Sequence, residues 1–218
     1  MSAHAAAQRA PDVDYEREKR LMSDPDIEVR RQVARNPATR PEILYYMATD
    51  KAVAVRCDIA ANVQTPIHAD SLLVKDADDS VRVSLAQKIA TLLPGQSADQ
   101  QNQAKERVYE IVSALARDQA VRVRQIMAEA LKDIVDAPHD VIRGLAKDIE
   151  LVVCEPILRC STVLTDDDLR EIIAAPPADG ALTAIARRAQ VAAPIADAIF
   201  AAGDENAVAA QLIARLID

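Results

Sequence analysis

Four segments of this chain share one spacing, and that spacing limits its fold more than any other feature. Residues 24–37 read DPDIEVRRQVARNP, 50–63 read DKAVAVRCDIAANV, 76–89 read DADDSVRVSLAQKI and 118–131 read DQAVRVRQIMAEAL. Aligned on their first Asp, they give the columns Asp24/Asp50/Asp76/Asp118, Val29/Val55/Val81/Val123 and Arg30/Arg56/Arg82/Arg124. The columns continue as Val33/Ile59/Leu85/Met127 and Ala34/Ala60/Ala86/Ala128. The first three copies start 26 residues apart. Val and the larger apolar residue are four apart, so they stack on one face of an α-helix. The Ala beside them lets a neighbouring helix approach closely. Asp ahead of the helix predicts a cap, its carboxylate accepting a first-turn N–H at the positive helix end. Arg beside the buried Val falls at the edge of the apolar stripe. There its planar fork reaches an Asp or a turn carbonyl of the adjacent copy. Whether this Arg column is structural or functional is left open by the sequence.

A second helix follows in each copy. After Asn36-Pro37 come Thr39 and Glu42 at capping-box spacing, then Ile43, Leu44 and Met47. In the next copy Thr65 reads as an N-cap with Pro66 at the first helical position, followed by Ile67, Leu72 and Leu73. The unit is therefore helix, tight turn, helix. One such unit cannot bury its apolar face alone, whereas stacked neighbours can. The expected fold is all-α: an α-solenoid, or superhelix, of stacked helix pairs. The four glycines stand alone, with no G-x-G-x-x-G and no G-x-x-x-x-G-K-[ST], so a phosphate-cradling Rossmann or P-loop turn is absent.

The rest of the chain fits around these copies as one domain over 1–218. Residues 1–11 carry no helical pattern and read as disordered, and 12–22 form a leading charged helix. Three 26-residue repeats occupy 24–93 and stop at Pro94-Gly95, with Ser97 a candidate cap. Longer repeats occupy 98–147, where an added helix over about 98–116 explains the wider step from Asp76 to Asp118. Degenerate repeats and a C-terminal cap fill 148–218. There Cys154 takes the Arg column, and Pro156 is expected to kink its helix or cut it to a short turn. Thr165 opens a helix with Leu169, Ile172 and Ile173, and three further helices fit 181–188, 192–201 and 205–217.

The blocks SDPDIEVRRQVARNPATRPEIL and LARDQAVRVRQIMAEAL resemble HEAT-like repeats, most closely the leucine-rich-repeat-variant type. The later blocks LVVCEPILRCSTVLTDDDL and AIARRAQVAAPIADAIFAAGDENAV resemble a bacterial family of HEAT-like proteins of unknown function. The resemblance covers about residues 22–218. It implies a stack of HEAT-like helix pairs and brings no catalytic residues to carry over. Some leucine-rich-repeat-variant proteins have a Cys-rich iron–sulfur segment ahead of the repeats. This chain has no cysteine before Cys57, so the resemblance implies no such cofactor. The HEAT-like metal-dependent hydroxylases use His-Glu pairs, and none occurs here.

Candidate sites are few. Cys57, Cys154 and Cys160 form no C-x-x-C and read as reduced, small hydrophobes. His4, His68 and His139 form no H-E-x-x-H, and His139 sits at a helix start, where capping or exposure accounts for it. Residues 76–87 and 24–35 fail as calcium loops, with Val at position six in place of Gly. Asp166–Asp168 are explained by the helix dipole. The expectation is no catalytic, cofactor-binding or metal-binding residue, and no cofactor.

The net charge of -8, and a net -6 over 148–179 alone, argue against nucleic acid. Phosphate binding needs a basic footprint, and base stacking needs aromatic platforms, which supply only 2% of the chain. Arg187-Arg188 reads as a solvated pair. No run approaches the roughly 20 apolar residues of a membrane span, and the start lacks an export signal, so the expected compartment is the cytoplasm. The expected role is a non-enzymatic scaffold or adaptor that binds another protein. The acidic stretch suits a basic patch on that partner, and a homodimer would cover an apolar end. Tyr45 and Tyr46 are candidates for an interface, with core burial as the alternative. The competing expectation is an enzyme or enzyme subunit with a concave pocket, acting on nucleic acid or a modified protein.

Overall fold

The computed structural model describes residues 13–93 and 102–217. The expectations for residues 1–11, for Pro94-Gly95 and Ser97, and for the helix start at 98–101 lie outside the described residues. The described residues form fourteen α-helices and no strand: α1 (Val13–Leu21), α2 (Ile27–Arg35), α3 (Pro41–Met47), α4 (Val53–Ala61), α5 (Ile67–Leu73), α6 (Asp79–Leu92), α7 (Asn102–Ala116), α8 (Val121–Leu131), α9 (His139–Ala146), α10 (Leu151–Cys160), α11 (Asp166–Ala174), α12 (Ala181–Ala186), α13 (Ala193–Ala202) and α14 (Glu205–Ile217). The all-α class follows. None of the described helices is long and apolar enough to cross a membrane.

The chain divides into two compact units, Met1–Leu85 and Ala86–Asp218. In the first, α1 packs on α2, α2 on α4, and α3 on α5. In the second, α8 packs on α10, α10 on α12 and α12 on α14, while α7 packs on α9 and α11 on α13. Within each unit, several helices thus meet the helix two places along the chain.

The repeated columns build the apolar core. Val55, Val81, Val123 and, in the later degenerate copy, Val153 are fully buried, as are Ile59, Leu85 and Met127 and the column of alanines. Val29 is half-buried: it belongs to the first copy, which has α1 in front of it where later copies have a copy like themselves.

Local details depart from the expectation in four places. The column Asp does not cap the first helical turn. Asp50, Asp118 and Asp148 each accept the N–H two residues on, from Ala52, Ala120 and Glu150, and those later residues are the N-caps. The carboxylate closes an Asx turn just ahead of the helix. In the first copy Asp26 is the N-cap, and its side chain accepts from Glu28.

Thr39 makes no capping box with Glu42. Arg40 is the N-cap, and the buried Thr39 hydroxyl donates back to the Val33 carbonyl at 2.8 Å. Thr65 likewise donates to Ile59 at 2.7 Å, and Pro66 takes the N-cap position. Each buried hydroxyl adds a second donor to a helix-end carbonyl that already accepts the C-cap N–H, from Asn36 and Asn62 respectively, in place of capping the next helix.

Finally, Pro156 does not cut α10 to a short turn: the helix runs for 10 residues around it. The N–H that Pro156 lacks would have reached the Val152 carbonyl. Val152 is 49% exposed, so water can take that carbonyl.

Candidate functional site

The Arg column is the most regular chemical feature in the sequence. Arg30 Nε and Nη2 donate to the two oxygens of Asp50 at 2.7 and 3.1 Å, and Nη1 donates to the Asp24 carbonyl at 2.8 Å. Arg56 repeats this with Asp76 at 2.6 and 3.0 Å and the Asp50 carbonyl at 2.8 Å. Arg124 repeats it with Asp148 at 2.5 and 3.1 Å and the Asp118 carbonyl at 2.8 Å. Arg82 Nη1 reaches the Asp76 carbonyl at 2.6 Å. The forks of Arg30, Arg56 and Arg124 each hold their own turn with one nitrogen and grip the Asp of the following copy with two. These pairs are largely shielded, with side-chain exposures of 6% and 9% for Arg30–Asp50. Burial alone would raise the Asp50 and Asp76 carboxyls, but the bidentate Arg and the Asx-turn N–H hold both below the usual carboxylate range. The donors of these forks are spent inside the fold, which makes the column structural.

The acidic stretch is largely committed as well. His139 and Arg143 on α9 and Lys147 at its C-cap stand four apart and face α11. His139 Nε2 lies 2.8 Å from Asp168, Arg143 bridges Asp168 and Glu171 at 3.1 and 2.5 Å, and Lys147 meets Glu171 at 2.5 Å. Asp168 also closes a capping box with Thr165. Burial would raise the Asp168 carboxyl, yet the Thr165 hydroxyl, His139 and the Thr165 N–H together lower it to about 2. Asp166–Asp168 thus open α11 as expected, and Asp168 also joins two helices. Among the described residues no cluster of His, Cys, Asp and Glu could hold a metal ion.

The cysteines separate by environment. Cys154 is buried in α10 in the place of the column Arg, and burial, followed by the nearby Asp148 charge, pushes its thiol up to about 11. Cys57 is half-buried, with its sulfur 3.4 Å from the Ser80 hydroxyl. Cys160 is half-buried and lines a hollow of about 690 Å³ with Asp133, Arg159, Thr162, Arg187 and Arg188. Of the expected solvated pair, Arg187 is exposed and Arg188 turns inward. Arg188 donates to the Leu158 and Ser161 carbonyls at 2.6 and 2.7 Å, and burial lowers its pKa.

Tyr45 and Tyr46 both reach the surface, 42% and 65% exposed, with rings 6.2 Å apart edge to face. Leu72 stands 26 residues after Tyr46, at the same place in the next copy, and is 43% exposed. His68 is exposed on the same helix, α5.

Sequence reasoning missed the α9–α11 pairing. The signal was present as basic residues at 139, 143 and 147 opposite acidic residues at 168 and 171, but it names no partner until the two helices are known to be neighbours. It also missed Asn62, whose amide spans back to the Ala34 and Asn36 carbonyls at 2.8 and 3.1 Å.

Residues 153–214 match a family described as "Uncharacterised protein conserved in bacteria (DUF2336)". The matched segment begins in α10 and ends in α14, so it includes Arg159, Cys160, Arg187 and Arg188. No curated protein matches the chain. Among solved structures, a crystal structure of an engineered protein aligns over 92% of this chain and 94% of its own, at 18% identity and a TM-score of 0.38.

Proposed function

We propose that the chain is an α-solenoid of HEAT-like helix pairs, nearest the leucine-rich-repeat-variant type, that serves as a non-enzymatic cytoplasmic scaffold for another protein. The observation that carries this reading is the outer face of α3 and α5. Tyr46 and Leu72 repeat an exposed apolar side chain one copy apart, beside Tyr45. The polar residues of the same copies, Arg30, Asp50, Arg56 and Asp76, are meanwhile consumed by the ladder. Large apolar groups presented at a fixed interval suit a docking face, and Tyr is enriched at binding hot spots. The carboxylates of 148–179 contribute less, since Asp148, Asp168 and Glu171 are already paired.

The test is a native pull-down compared between the natural chain and a Tyr46→Ala/Leu72→Ala variant, quantified by mass spectrometry. A partner retained by the first and lost by the second supports the scaffold. Recovery of the chain alone, or the same partners with both, refutes it.

A further inference from the structure

The hollow at the C-terminal ends of α10 and α12 gathers cations in an acidic molecule. Arg159, Arg187 and Arg188 line it against one carboxylate, Asp133, a local excess of positive charge in a chain of net charge -8. The three arginines are used differently. Arg188 is committed to the Leu158 and Ser161 carbonyls. In doing so it covers the helix-end carbonyls of α10, whose negative dipole end would otherwise repel an anion. Arg159 has a long ion pair with Glu155, 3.9 Å away and one turn back along α10, and its guanidinium also meets the Cys160 thiol beside it. Arg187 is exposed and makes no side-chain hydrogen bond or ion pair among the described residues. The Thr162 hydroxyl and the Gln190 amide line the same hollow as further donors. A charge that merely balanced a helix end would sit as Arg188 does, against carbonyls.

We propose that this hollow binds a phosphate group, free or as a monoester, with Arg159 and Arg187 supplying the charge and Thr162 and Gln190 neutral donors. Forked guanidinium groups suit the oxygens of phosphate, and a dianion offsets the excess positive charge. The hollow, about 690 Å³, is in the size range of small-molecule sites. This inference goes beyond the scaffold reading and does not rest on it.

Cys160 in the same hollow is a built-in reporter. The full chain is alkylated with iodoacetamide, and modification is read separately on the Cys160 and Cys57 peptides. The probes are inorganic phosphate and phosphoserine, against potassium chloride of matched ionic strength. With a dissociation constant on the order of 1 mM, about tenfold more probe slows Cys160 modification roughly tenfold. Cys57 is unaffected. Arg187→Ala, at an exposed position, keeps the melting temperature and loses the protection. Protection by phosphoserine at the lower concentration assigns the site to an ester, and protection by inorganic phosphate at the lower concentration assigns it to the free ion. No protection beyond the chloride control overturns the proposal, as does equal protection in the Arg187→Ala and Arg159→Ala variants.

Discussion

The copies before residue 148 and the helices after it solve one problem by different means. In the first unit each helix of the α2, α4 row is locked to the next by a bidentate Arg–Asp pair, and α8 and α10 are joined the same way. From α10 onward the column Arg is Cys154, fully buried and without a carboxylate partner. There α10 and α12 are joined by Arg188 on helix-end carbonyls, α12 and α14 by Gln211 on the Ala186 carbonyl at 2.8 Å, and otherwise by packed Ala, Ile and Leu. Apolar packing supplies cohesion in both regions. The charged forks add register, because a fork engages only when its Asp arrives in the right place.

The largest test of that contrast is the same truncation at equivalent column positions. Arg56→Ala leaves the shielded Asp76 carboxylate without its fork and should cost about 3 kcal/mol in urea unfolding. Cys154→Ala removes one buried sulfur and should cost only about 1 kcal/mol. Equal losses would remove the distinction between the regions.

Acid comes next. Folded Asp50 and Asp76 titrate below their ordinary range, so the stability they contribute is complete above the unfolded carboxyl pKa of about 4 and fades as pH falls through the folded values. Asp168, at about 2 in the folded chain, extends the loss to still lower pH. Thermal melts from neutral pH downward should therefore hold level and then fall below about pH 4, and Arg56→Ala should flatten part of that fall. A fall beginning near neutral pH would point to groups other than these carboxylates.

The smallest effect concerns α10 itself. Pro156→Ala restores the N–H for the Val152 carbonyl and removes an interior proline. Since α10 already accommodates the ring, the gain should be about 1 kcal/mol or less, read as a modest rise in melting temperature. A loss of stability would show that the ring is needed where it packs.

What the sequence made legible follows from the same contrast. The Asp, Val, Arg and Ala columns were visible because each has one geometric task that tolerates little variation, and so were α2, α4 and α8. Thr165 was visible because its capping box is local. Thr39 and Thr65 misled because a cap and a helix-end carbonyl make similar demands on a hydroxyl, and only burial decides between them. The α9–α11 pairs and the Arg188 contacts join residues 24 to 30 apart in a region without a fixed interval, so no alignment of copies could expose them. The hollow around Cys160 was hidden for the same reason: Asp133, Arg159 and Arg187 come from three different helix ends.

The ladder also acts as a ruler. Arg30 meets Asp50 and Arg56 meets Asp76 across the same 20 residues of chain. Excising residues 50–75 would bring Asp76 to the place Asp50 now holds, within reach of Arg30, and the cut would heal. Removing a single residue from the same stretch would leave the fork short of its Asp. Across these copies the array grows or shrinks by whole modules, a grammar that permits duplication and forbids stuttering.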